Sequence, residues 1–217
     1  MNVDITPNHD ALTGMERRPA FEGAFEAMTR DRKLSARGVS VALLDIDLFG
    51  QVNEALGQPE GDAVLAALAE ALRGQINGSA ALYRFGGDAF ALLFKGVEKE
   101  AAFLWTEQFR SGLSSQHFSF GPGKSLSLSV SAGLAAWPDD GATALEVVQR
   151  ACEALFRAKA TGRDRVCLAR EEKMVTRTSH YQQGQLMGLR RLAERKQIGE
   201  AVLLREALND LLRKYNA

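Results

Sequence analysis

Apolar positions along the chain follow two spacings. In the windows Pro19–Asp31, Ala63–Arg73, Lys99–Leu113 and Ala142–Lys159 they return every three or four residues, the period of a helix with one buried stripe. Val39–Asp45, Ala81–Phe94, Ser125–Ala136 and Arg165–Leu168 read instead as strands. Val39 to Leu44 is an apolar run, the mark of a strand buried on both faces. This succession predicts an α/β sandwich with a mixed sheet, its helices covering mainly one face. The alternation in Ser125–Val130 and the stop at Trp137-Pro138 predict a strand given to core packing, with no chemistry of its own.

Two chain turns carry carboxylates. Between the apolar runs Ala81–Phe85 and Ala89–Phe94, the sequence Gly86-Gly87-Asp88 predicts a tight hairpin with Asp88 at its tip. The run Val39–Leu44 ends in Asp45-Ile46-Asp47. Of these two carboxylates, only one is expected to share a site with Asp88 directly. A pair of hard oxygen ligands from adjacent strands suits Mg²⁺ bound to a nucleotide phosphate and suggests phosphoryl chemistry.

Four segments between residues 10 and 168 carry a resemblance. Asp10-Ala11-Leu12-Thr13-Gly14-Met15 with Arg18, Asp45-Ile46-Asp47-Leu48-Phe49 with Asn53, Gly57 and Gly61-Asp62, Arg84-Phe85-Gly86-Gly87-Asp88-Ala89-Phe90, and Ala158-Lys159-Ala160-Thr161-Gly162-Arg163 together resemble the GGDEF, or diguanylate cyclase, domain. That family condenses two GTP molecules into cyclic di-GMP. The resemblance implies a nucleotidyl-cyclase type of sandwich, with metal held at Asp45, Ile46 and Asp88. It implies guanine binding by Asn53 and Asp62, whose amide and carboxylate complement the base's donors and acceptor. Phosphates would meet the backbone amides at Leu48, Phe49 and Gly50, where a strand gives way to a helix. Lys159 and Arg163, four apart and expected on one helical face, would neutralise the triphosphate. Asp62 also suits an N-cap for a helix from Ala63.

Departures from the family pattern shape the functional expectation. Ala89 stands where the family name has glutamate, a residue credited with metal binding or with activating the attacking 3′-hydroxyl. Gly50, Gln58 and Arg17 replace the usual lysine, histidine and asparagine, and Asn77-Gly78-Ser79-Ala80 lacks the Arg-x-x-Asp product-inhibition motif. The expectation is a degenerate domain that is not an enzyme and binds GTP with Mg²⁺, or cyclic di-GMP, as a signal. The alternative is a weakly active diguanylate cyclase dimerised by its C-terminal helices.

A domain boundary is expected near residue 170, giving 1–170 and 171–217. The tail pairs a polar alternating segment, Val175–Tyr181, with helical patterns at Gln185–Lys196 and Glu200–Tyr215, broken at Gly199. It resembles a ribbon-helix-helix DNA-binding module, a small β-α-α dimer whose paired strands enter the major groove. The resemblance implies Thr176, Thr178 and His180 on the groove and the helix N-terminus near Gly199 on a DNA phosphate. Arg177, on the inward face, departs from that pattern. A helical hairpin that only dimerises the domain is the plainer reading.

Charge fits two partners. From Arg170 onward there are ten Lys or Arg against six Asp or Glu, whereas the preceding residues hold seventeen against twenty-one. A basic tail on an acidic domain suits contact with a phosphate backbone. With 217 residues, 46% hydrophobic and 25% charged, the chain has room for one core and a small annex. No apolar run spans a bilayer and no signal-peptide pattern opens the chain, so a cytoplasmic protein is expected. Cys152 and Cys167 are expected as buried free thiols. Taken together, the expected role is a nucleotide-responsive, DNA-binding transcriptional regulator acting as a homodimer or higher even oligomer.

Overall fold

The computed structural model describes residues 8–31, 38–76, 78, 80–115, 117–169, 181–196 and 199–215. They fall into two compact units, Met1–Glu171 and Glu172–Ala217. In the first, the elements run β1 (Glu16–Arg17), α1 (Arg18–Arg30), β2 (Val39–Ile46), α2 (Phe49–Leu56), α3 (Gln58–Gln75), β3 (Ala80–Gly86), β4 (Ala89–Lys95), α4 (Lys99–Ser114), β5 (His117–Gly121), β6 (Lys124–Ser127), β7 (Val130–Trp137), α5 (Ala144–Ala160) and β8 (Val166–Leu168).

Six strands form one sheet in the order β1-β3-β4-β2-β7-β8. The sheet is mixed: β1 pairs with β3 and β7 with β8 in parallel, and the remaining pairs are antiparallel. Every residue of the central strand β2 is buried. Its side chains divide by parity. Ala42, Leu44 and Ile46 join a core with Val64, Leu65 and Leu68 of α3 and Ala102 and Phe109 of α4. Val39, Val41 and Leu43 join Phe21 and Phe25 of α1 and Val147, Val148 and Ala151 of α5. The expectation of helices mainly on one face is therefore corrected: a central strand apolar on both sides has to be covered on both.

Local chemistry sets the element ends. Helix α5 starts at Ala144 because the Thr143 hydroxyl accepts the Glu146 N–H, while the Glu146 carboxylate accepts the Ala142 N–H at 2.7 Å. The predicted strand Ser125–Ala136 is two strands: β6 pairs with β5 in a separate hairpin, and β7 lies beside β2. Cys152 and Cys167 are free, but Cys152 is exposed, correcting the expectation of two buried thiols. It sits one step off the stripe Val147, Val148, Ala151 and Ala154 that α5 buries.

The second unit contains α6 (Gln183–Lys196) and α7 (Glu200–Tyr215), with Gly199 accepting the Leu203 N–H at the start of α7. Thr176, Thr178 and His180 lie outside the described residues. Among the described residues no helix is long and apolar enough to cross a membrane.

Candidate functional site

Strand pairing gathers the first carboxylates. Asp45 lies opposite Ala89 in the antiparallel pair of β2 and β4, one residue from the β3–β4 turn that carries Asp88. That turn is built by glycines, Gly87 adopting φ 54°, a conformation in which a Cβ would be strained. Asp88 therefore stands next to the residue that faces Asp45. Burial pushes the Asp45 carboxyl above its ordinary value; the Lys159 ammonium opposes that shift, and the Asp88 carboxylate reinforces it. The Ile46 side chain is in the core, which leaves its backbone carbonyl as the group able to face a cation.

Two carboxylates held together against their repulsion are the donors a divalent cation satisfies, and they are hard oxygens of the type Mg²⁺ prefers. The side chains present therefore fit Mg²⁺. Among the described residues no group of three or more His, Cys, Asp or Glu is placed to hold a metal.

The residues expected to bind guanine lie on α2 and α3. Leu48 enters α2 at φ 57°, so the amides of the first turn, at Phe49 and Gly50, have no partner within the helix. Gly57, at φ 96°, hinges α2 to α3 and lets Gly61 pack beneath Asn53. The Asn53 Oδ1 atom is buried over Gly61 without a hydrogen-bond partner. Asp62 is exposed within α3, which begins at Gln58, so the N-cap role considered for it is ruled out.

The cationic end departs from expectation in one respect. Lys159 is on the last turn of α5 with its Nζ 2.5 Å from Asp45 Oδ1. Arg163 does not continue the same helix. The helix ends at Ala160, Gly162 turns at φ 120°, and Arg163 and Asp164 adopt φ 60° and 45°. Left-handed conformations in non-glycine residues cost about 1–2 kcal/mol each and persist where surrounding contacts hold them.

Two charged residues that lie within the quoted motifs but were given no role there belong here. Asp47, beyond the end of β2, is buried and accepts hydrogen bonds from Ser129 Oγ at 2.8 Å, Ser131 Oγ at 2.7 Å and the Asp164 N–H at 3.0 Å. Arg84, two residues before the glycine pair, is buried with its guanidinium over the Phe90 ring. Burial lowers its pKa, while Asp10, Asp88 and Asp62 act in the opposite direction. An arginine inside an otherwise apolar strand was the available signal.

Comparisons with known proteins agree with this geometry. The family model for the diguanylate cyclase, GGDEF domain matches residues 7–165. The chain is 36% identical over 161 residues to the diguanylate cyclase DgcP of Pseudomonas aeruginosa, covering 74% of this chain and 24% of that protein. It is 30% identical over 158 residues to the response regulator PleD of Caulobacter vibrioides, covering 72% and 35%. The chain thus spans roughly a quarter to a third of these relatives. Among solved structures, the GGDEF domain of DgcB from Caulobacter crescentus in complex with c-di-GMP superposes with a TM-score of 0.71 at 26% identity, covering 79% of this chain and 98% of that one.

These findings correct the expectation that the protein is not an enzyme. The matching family is described as diguanylate cyclase, and a relative 36% identical over 161 residues carries that activity in its name. The match ends at residue 165, before the tail, and lends no support to DNA binding or transcriptional regulation. The chain belongs to the GGDEF family of diguanylate cyclase domains.

Proposed function

We propose that this chain carries out diguanylate cyclase chemistry on GTP with Mg²⁺, at a slow rate, with two copies brought together by the C-terminal helices. The observation that carries the reading is the strand register that sets Asp45 opposite Ala89, the neighbour of Asp88, with the Lys159 ammonium on Asp45. Asp45, Asp88 and the Ile46 carbonyl would hold Mg²⁺, which when bound supplies charge neutralisation at the triphosphate. Asn53 and Asp62 orient guanine, the amides at Leu48, Phe49 and Gly50 receive phosphate oxygens, and Lys159 and Arg163 neutralise the remaining charge.

The 3′-hydroxyl oxygen of one GTP then attacks the α-phosphorus of the other, the bond to pyrophosphate breaks, and the hydroxyl proton passes to solvent water. A second such step, with the roles exchanged, closes the ring. Each step releases one pyrophosphate. Two nucleotides must therefore face each other, which explains why a pairing element matters. Ala89 has no group to take the hydroxyl proton, and the loss of a general base or an electrostatic contact of that type slows turnover about 10²- to 10⁴-fold.

The test is incubation of the purified protein with GTP and Mg²⁺, with chromatographic detection of cyclic di-GMP and pyrophosphate. Slow product formation that disappears in Asp45→Asn supports the reading. Saturable GTP uptake with no product over days would sink it.

A further inference from the structure

We infer that Asp47 is a positioning residue for the triphosphate: it fastens the turn that presents Arg163 to the strand end that presents Asp45. The inference rests on the proposed GTP site. Asp47 lies two residues after Asp45 and directly follows β2, and its own N–H donates to the Ser129 carbonyl at 2.9 Å. Both of its carboxylate oxygens are taken up by hydrogen bonds. One oxygen accepts from Ser131, and the other from Ser129 and from the backbone N–H of Asp164.

The Asp164 contact reaches across 117 residues of sequence to the residue that follows Arg163. Asp164 is held from its other side as well, because Arg110 of α4 places Nη1 2.6 Å from its Oδ1. The Arg163 N–H donates to the Ala158 carbonyl at 3.0 Å. Three anchors thus hold two consecutive left-handed residues, and the exposed side chain between them is the cation assigned to phosphate. A buried carboxylate used only for folding could end on any nearby donor. This one ends on the backbone of the phosphate-binding turn, which ties the spacing between metal and cation to one side chain.

The consequence is selective. Losing Asp47 should misplace Arg163 and weaken contacts to phosphate while leaving the guanine contacts of Asn53 and Asp62 in place. Titration of the full chain with GTP and Mg²⁺ is expected to show about tenfold weaker binding for Asp47→Ala, the effect of one charge-assisted contact. Guanosine, which has no phosphate, should bind as it does to the wild type. Asp47→Asn keeps an acceptor for the Asp164 N–H and should restore most of the GTP affinity. In an Arg163→Ala background, Asp47→Ala should cost less than twofold, since the residue it positions is gone.

Arg110→Met loosens the same turn from outside the strand end and should repeat the pattern if Asp47→Ala does not fold. A tenfold loss that persists in the Arg163→Ala background, or an equal loss for guanosine, overturns the assignment of Asp47 alone. Wild-type protein that binds no GTP would remove the proposed site and this inference with it.

Discussion

The Lys159 ammonium lies 2.5 Å from Asp45 Oδ1, on the carboxylate that a metal would need. Lysine and metal therefore compete for one oxygen, and nucleotide phosphates offer the lysine another partner. Lys159→Met should bind Mn²⁺ or Mg²⁺ more tightly in the absence of nucleotide and GTP more weakly, each by roughly tenfold. Calorimetric titration with the metal alone and with GTP measures the two shifts separately. Shifts of the same sign would show that the lysine supports the metal site instead of competing for it.

The missing glutamate has a defined place. Residues directly opposite in an antiparallel pair share a face, and Ala89 is opposite Asp45. Ala89→Glu would put a third carboxylate beside Asp45 and Asp88 with no change of backbone. Turnover of GTP should rise about 10²- to 10⁴-fold. If product formation in this variant stays at the wild-type rate, the slow step lies elsewhere.

The central strand was legible because its length and apolarity leave one placement, in the middle of a sheet. The same run, read further, required cover on both faces, since Val41 and Leu44 point to opposite cores. Asp88 was legible because Gly86-Gly87 admits few turns. Asp47 was not. Its partners Ser129 and Ser131 sit in an alternating stretch that pattern alone assigns to strand packing, and the contact spans more than eighty residues. Arg163 was placed on a helix because Lys159 four residues earlier fits that period. Gly162 ends the helix between them.

Two close-packed glycines predict different losses. At Gly133 a Cβ would meet the Ala151 carbonyl oxygen at 2.1 Å and the Leu155 nitrogen at 2.2 Å, backbone atoms of α5 that cannot yield separately. Gly133→Ala should destabilise the fold by about 1–3 kcal/mol, seen as a lower Tm. At Gly61 the Cβ would be 1.8 Å from Asn53 Oδ1, the end of a side chain that can swing aside. Gly61→Ala should melt near the wild type yet bind GTP several-fold more weakly. A fall in Tm as large as that of Gly133→Ala would count against a specific effect on Asn53.

Asp10 gives the fold a pH dependence. Its Oδ2 accepts from the Thr13 hydroxyl at 2.7 Å and the Thr13 N–H at 2.9 Å. Burial pushes the carboxyl up, but these hydrogen bonds and the Arg84 and Arg17 charges outweigh it, and the pKa lies below its ordinary 3.8. A pKa lower in the folded state means a contribution that is full above the unfolded value and is lost as pH falls through the folded one. Asp10→Ala should cost about 1 kcal/mol at neutral pH, and the gap should close on acidification below pH ~3.8. Denaturant melts of both proteins from pH 7 to 3 test this, and a gap independent of pH would assign the loss to packing.

The C-terminal helices supply the last expectation. Within their unit they bury Ala193 and Leu203, while Leu186, Met187, Leu208 and Leu211 remain exposed at 44%, 52%, 55% and 51%. Two helices of 14 and 16 residues are too short to bury these apolar side chains in a core of their own, and the function proposed above covers them with a second copy. A chain ending at residue 171 keeps both cores of the first unit and should fold with an unchanged Tm. It should sediment as a monomer where the full chain sediments as a dimer. Because product requires two GTP-loaded sites to meet, its turnover should fall and rise again steeply with protein concentration. Leu208→Glu with Leu211→Glu in the full chain should reproduce both effects. A truncated chain that stays dimeric and keeps its rate would place the pairing surface on the GGDEF domain itself.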